Sequence, residues 1–64
     1  MFGTRIRQLR RQMKLTQQEL ADTLGVDNTT ISVWELGKAE PSIKHILAMS
    51  SLFNVTTDFL LGKE

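Results

Sequence analysis

Helix breakers are few in this chain, with four glycines and one proline, and their positions constrain the fold more than any other feature. Gly25, Gly37, Pro41 and Gly62 fall between short runs of apolar residues at helical spacing, so each marks an element end rather than a linker. From Thr4 to Met13, the residues Ile6, Leu9 and Met13, led by Phe2, recur at offsets of four, three and four, one stripe of an amphipathic first helix. Thr16 followed by Glu19 is a capping box, which starts a second helix from about Gln17 to Leu24, with Leu20, Ala21 and Leu24 at helical spacing. Gly25 then supplies a left-handed residue to end it.

Asp27 is a good N-cap for a third helix that carries Ile31, Trp34 and Glu35 on one face, runs to Leu36 and is stopped by Gly37. About three residues separate it from the second helix. Pro41-Ser42 introduces a fourth helix, Ile43 to about Phe53, with Ile43, Ile46, Leu47, Ser50 and Phe53 as its inward stripe. Thr56 caps a last short helix, Thr57 to Leu61, ended by Gly62. Val26, Ile31, Val33 and Val55 are scattered and form no period-2 run long enough for a strand. The reading is an all-α fold and a single domain over residues 1–64, without repeats or low-complexity tracts.

At 64 residues and 7.3 kDa the chain has no room for separate cofactor and catalytic domains. Scaling laws give roughly 4,200 Å² of folded surface against about 10,600 Å² unfolded, so only about 60% can be buried. There is no cysteine and one histidine, His45, so neither disulfides nor a metal cluster can supplement the core. Hydrophobic residues at 41% and charged residues at 23% fit an ordinary globular domain. The longest apolar stretch is Ile46-Leu47-Ala48-Met49, far short of a membrane span, and no apolar segment follows the N-terminal charge, so the chain is read as cytoplasmic.

Net charge is only +1, which argues weakly against a nucleic-acid partner, but its distribution is uneven. Residues 1–15 hold Arg5, Arg7, Arg10, Arg11 and Lys14 without an acid, or +5, while residues 16–35 hold Glu19, Asp22, Asp27 and Glu35 without a base, or −4. Two helices joined by so short a turn cross steeply, and Ala21 and Ile31 are placed to meet at the crossing. Leu20, Leu24, Val26 and Trp34 then form the underside, which leaves Asn28, Thr29, Ser32 and Val33 on the outer face of the third helix. Short uncharged side chains can approach base edges closely, and a valine can meet a thymine methyl.

The stretch Leu15-Thr16-Gln17-Gln18-Glu19-Leu20-Ala21, with Leu24-Gly25-Val26, Thr30-Ile31-Ser32, Trp34-Glu35, Gly37-Lys38, Pro41-Ser42 and Val55 to Leu61, resembles the helix-turn-helix proteins of the phage Cro and repressor type, the XRE family. The resemblance covers nearly the whole chain and implies a compact five-helix bundle whose helix-turn-helix core, about 16–36, puts the third helix in the DNA major groove. It further implies that Gln17 lies against the DNA backbone and that Lys38 and the loop around it face phosphates. Asp27, Asn28, Thr29, Ser32 and Val33 would reach or approach base edges. Arg10 would pair with Glu35 in a partly buried bridge, near a phosphate. Asp27 departs from what a DNA-facing position favours and is read mainly as the helix cap.

Other features have plainer readings. Arg5, Arg7 and Arg11 are assigned to a solubilising helix face, Gln18 to solvent, and Trp34 to the core. His45, Met13 and Met49 belong to no motif. Glu19 and Asp22 lie three apart but lack a nucleophile or metal-ligand companion, so no enzyme, metal or cofactor is indicated. Phe59, Leu60 and Leu61 are partly core, with a surplus apolar residue available to a dimer contact. The sequence therefore points to a sequence-specific regulator of transcription, a small repressor bound as a homodimer to a palindromic double-stranded operator. The competing reading is a protein-interaction module such as an antitoxin with secondary DNA binding. Its marker would be a partner-binding tail, for which Gly62-Lys63-Glu64 is too short.

Overall fold

The computed structural model describes residues 2–63 as five helices: α1 (Phe2–Gln12), α2 (Gln17–Leu24), α3 (Asn28–Glu35), α4 (Ile43–Phe53) and α5 (Thr57–Leu60). No strand occurs among the described residues. All five helices end in the same pair of backbone hydrogen bonds, an outer one spanning five residues and an inner one spanning three. Leu15 N donates to Arg10 O and Lys14 N to Arg11 O, both at 3.0 Å, and equivalent pairs close the helices before Val26, Lys38, Val55 and Lys63. The motif needs a left-handed residue, supplied by Gly25, Gly37 and Gly62, but also by Lys14 (φ 59°) and Asn54 (φ 56°).

The starts of the helices are less uniform. Thr16 and Glu19 form the reciprocal capping box, with Glu19 N donating to Thr16 Oγ1 at 3.0 Å and Thr16 N to Glu19 Oε1 at 2.8 Å. Thr56 Oγ1 accepts from Phe59 N at 3.0 Å. Asp27 and Ser42 occupy the N-cap positions with extended backbone, yet neither side chain caps its helix. The reading of Asp27 as a side-chain cap is thus corrected: its carbonyl accepts from Thr30 and Ile31, and its carboxylate faces solvent. Ser42 Oγ lies 3.1 Å from His45 Nδ1 instead, and the His45 ring tilts against Trp34 with centroids 5.4 Å apart.

The core is built from Phe2, Ile6, Leu9, Leu20, Ala21, Ile31, Trp34, Met49, Phe53 and Leu60. α3 sits between α1 and α2, while α4 packs on α2 and α5, and α5 closes back on α1. The surface of 4048 Å² is close to that of a well-folded chain of this mass. Two sequence stripes need correction. Met13 is exposed, because α1 ends at Gln12 and the chain turns at Lys14. On α4, Ile43 and Leu47 are 76% and 55% exposed, whereas Met49 is fully buried. At 100° per residue the Met49/Phe53 row lies roughly 120° around the helix from the Ile43/Leu47 row, and only the former turns inward.

Gly3 sets the approach of α1 to α3. A Cβ there would stand 2.6 Å from the Trp34 carbonyl oxygen and 2.8 Å from that of Glu35, and neither is the end of a flexible side chain. Gly3→Ala should therefore destabilise the fold by about 1–3 kcal/mol through overpacking. Thermal unfolding should show a Tm fall of roughly 4–20 °C. Lys14→Gly should act in the opposite direction, raising stability by about 0.5–1 kcal/mol because it removes the left-handed strain at the end of α1.

Candidate nucleic-acid interface

The last residue of α3, Glu35, is 4% exposed and its carboxylate is the meeting point of three helices. From α1, Arg10 Nε donates to Oε2 at 2.6 Å and Arg10 Nη2 to Oε1 at 3.1 Å. From α2, Gln17 Nε2 donates to Oε1 at 3.1 Å, and Arg7 Nε of α1 adds a longer contact at 3.4 Å. Arg10 Nη1 also donates to the Leu15 carbonyl at 2.9 Å, tying the α1–α2 turn to the same guanidinium. Burial alone would raise the Glu35 pKa. Hydrogen bonds from Arg10 and Gln17, the Arg10 charge and the Arg7 contact overcome it and hold the carboxyl below its ordinary value of 4.5. Among the described residues, no buried side-chain polar atom lacks a hydrogen-bond partner.

The opposite side of α3 is open. Ile31, Trp34 and Glu35 face inward, while Asn28 and Thr29 are exposed and Ser32 and Val33 half-buried. Ala21 and Ile31 are both fully buried, and Gly25, at φ 73°, makes the tight turn between α2 and α3. α3 therefore presents one turn and a half of small, uncharged side chains, held on its other side by apolar packing and by Glu35. Asp27 flanks the face at one end. Lys38, exposed, follows the turn at the other.

Gln17, half-buried in the first turn of α2, has one amide hydrogen committed to Glu35. Arg10 is only 8% exposed, with its donors directed inward. The solubilising role read for Arg5 and Arg7 is corrected. Arg5 stacks on Phe59, 4.1 Å from the ring centroid, and Nη1 donates to the Phe59 carbonyl at 2.9 Å. Three of the five N-terminal bases thus serve internal contacts, so α1 is not a basic stripe. The spacing of Arg7 and Arg10, three apart and on one helix face, is a signal that could have placed Arg7 beside Glu35. Nothing in the sequence marks Arg5. Among the described residues, no three of His, Cys, Asp and Glu come together where they could hold a metal ion.

Two short helices at a tight turn, braced by a third and open on the outer side of the second, define the helix-turn-helix class of DNA-binding domain. The helix-turn-helix family pattern matches residues 6–60. An HTH-type transcriptional regulator of Bacillus subtilis, YqaE, is 39% identical over 64 residues, all of this chain and 55% of its own length. The HTH-type transcriptional activator BcrR of Enterococcus faecalis is 43% identical over 63 residues, 98% of this chain and 31% of its own length. The crystal structure of the P22 c2 repressor, a protein of Salmonella phage P22, in complex with a synthetic operator superposes with a TM-score of 0.92 at 36% identity, covering 100% of this chain and 97% of that one. The chain belongs to the helix-turn-helix family, in its XRE-type branch. It spans about half or less of the length of these curated relatives.

The Glu35 network makes a direct prediction. Arg10→Met and Glu35→Leu should each cost about 3–5 kcal/mol, because each strands a charge in a site with little water. The double variant should lose less than the sum, whereas strict additivity in thermal unfolding would show that the two side chains do not interact. Since the folded-state pKa of Glu35 is lowered, its contribution is complete above pH 4.5 and is lost as pH falls through the lower folded value. Glu35→Leu should accordingly flatten the acid limb of the stability curve.

Proposed function

We propose that this protein is a sequence-specific regulator of transcription that lays α3 in the major groove of double-stranded DNA. It acts as a homodimer on a twofold-symmetric operator, and represses by occluding a promoter. The observation that carries this reading is the outer face of α3, where the exposed Asn28 and Thr29 and the half-buried Ser32 and Val33 are all small and uncharged. Such side chains can approach base edges closely, where a carboxylate would meet phosphate repulsion. Similarity to a repressor crystallised with its operator supports the same reading.

In this arrangement Asn28 bonds an adenine edge and Val33 packs on a thymine methyl, with Thr29 and Ser32 between them and Asp27 at the margin. Gln17, at the positive end of the α2 dipole, keeps an amide hydrogen for a phosphate while Glu35 holds the other. Lys38 meets the backbone beyond α3. Arg10 contributes mainly by fixing Glu35 and Gln17, and adds positive charge beneath the same phosphate. Residues 1–64 act as one DNA-binding domain, in the cytoplasm. The role is binding rather than catalysis, and no cofactor takes part. Among the described residues, no helix is long and apolar enough to cross a membrane.

Selecting bound sequences from a random DNA pool tests the reading, and enrichment of a palindrome is the expected result. Asn28→Ala should then cost about 1–3 kcal/mol on the selected operator and little on scrambled DNA. Lys38→Ala should weaken binding to both and lower the salt slope by about one, since a phosphate contact releases counterions regardless of sequence. Equal losses on both DNAs for Asn28→Ala and Val33→Ala would show that α3 is not the reading element.

A further inference from the structure

Glu35 Oε2 accepts from Arg10 Nε, while three donors surround Oε1: Arg10 Nη2 and Gln17 Nε2, each at 3.1 Å, and Arg7 Nε at 3.4 Å. A carboxylate oxygen offers about two lone pairs, so Oε1 has one donor more than it can serve well. Arg10 is not the donor that yields, because Nε and Nη2 form a fork on the carboxylate and Nη1 is held by the Leu15 carbonyl. Gln17 and Arg7 are both half-buried, and each is tied to Oε1 by a single contact. We propose that Arg7 is a positioning residue for Gln17: as a DNA phosphate draws the Gln17 amide outward, Arg7 Nε closes on Oε1 and takes over the acceptor site that Gln17 loosens. The inference rests on the phosphate contact proposed for Gln17 above and says what makes that contact possible.

The Glu35 side chain has no exposed surface, so a lost donor cannot be replaced by water. Gln17 would be held back from a phosphate unless another donor stood ready. Arg7 Nε already lies at the outer limit of a hydrogen bond, and roughly half an ångström of closure brings it into the ordinary range for N–H···O. Arg7 stands one turn before Arg10 on the same face of α1, and its side chain keeps 40% of its surface exposed, so the closure needs only a side-chain adjustment. Charge acts in the same direction. Arg10 and Glu35 cancel as a pair, and Arg7 leaves the junction with one positive charge, which offsets the repulsion between Glu35 and a phosphate bridged by the Gln17 amide.

The test is a double-mutant cycle read in DNA affinity, on the selected operator and on scrambled DNA, at several salt concentrations. Arg7→Met and Gln17→Ala should each weaken binding to both DNAs, Arg7→Met by about three- to tenfold. The double variant should bind no more weakly than Gln17→Ala alone. Because Gln17 is uncharged and Arg7 acts through Glu35, the salt slope should stay within about half a unit of the wild-type value. Arg7→Lys, whose ammonium can reach Oε1, should regain most of the affinity. In the free protein, the Gln17 side-chain amide should exchange with water more slowly in Arg7→Met than in the wild type, because its competitor for Oε1 is gone. An additive loss in the double variant would overturn the proposal: with a slope lowered by about one it would make Arg7 a phosphate contact, and with an unchanged slope and a fall in Tm it would make Arg7 a purely structural residue. Wild-type affinity in Arg7→Met beside a loss in Gln17→Ala would overturn the role of Arg7 and leave the Gln17 contact standing. Wild-type affinity in Gln17→Ala would remove the phosphate contact itself, and the positioning role with it.

Discussion

A carboxylate with no solvent-exposed side-chain surface stands where α1, α2 and α3 meet, and the relative rotation of these helices depends on it. Glu35 can remain ionised only where enough donors replace its water, and two helices provide them through Arg10, Arg7 and Gln17. Apolar packing at Ile31, Leu20 and Ala21 has no direction of its own and would tolerate small rotations of α3. A bidentate guanidinium with donors in a fixed fork does not. Replacing the pair by apolar residues need not reduce total stability. What it would remove is the fixed rotation that keeps Asn28 and Val33 pointing away from the bundle.

The same network decides which basic side chains of a chain of net charge +1 remain available to the polyanionic partner proposed above. Arg5, Arg7 and Arg10 are committed to Phe59 and Glu35, which leaves Arg11, Lys14, Lys38, Lys44 and Lys63 exposed and available to phosphates. Fewer phosphate contacts mean less counterion release and a weaker sequence-independent attraction. In the reading proposed above, discrimination by base edges then has a smaller nonspecific background to exceed.

Legibility in the sequence followed the strength of local signals. α2 and α4 have the limits read from Thr16, Gly25 and Ser42, because capping and left-handed termination are decided within four residues. The end of α1 was harder, since Lys14 takes a left-handed conformation that its type does not announce. Asp27 and Ser42 were legible as cap positions but not as failed side-chain caps, which depends on rotamers that neighbouring residues set. Around the candidate site, the open face of α3 could be read from periodicity, whereas the choice of which arginine turns inward depends on where α3 crosses α1. That crossing is set by Gly3, whose role is visible only once the Trp34 and Glu35 carbonyls lie against it.

The case of α4 carries this furthest. Its apolar residues fill two rows, and the helix period cannot say which row a small bundle will bury. A helix at the edge of a five-helix body has room to bury only one broad arc, and Met49 and Phe53, flexible and large, fill the space that α2 and α5 leave. The second row is then surplus to the fold. An exposed aliphatic row contributes little to the stability of the monomer and adds an aggregation liability. The difficulty in reading α4 from sequence thus has a physical origin: one helix carries more apolar surface than the bundle buries.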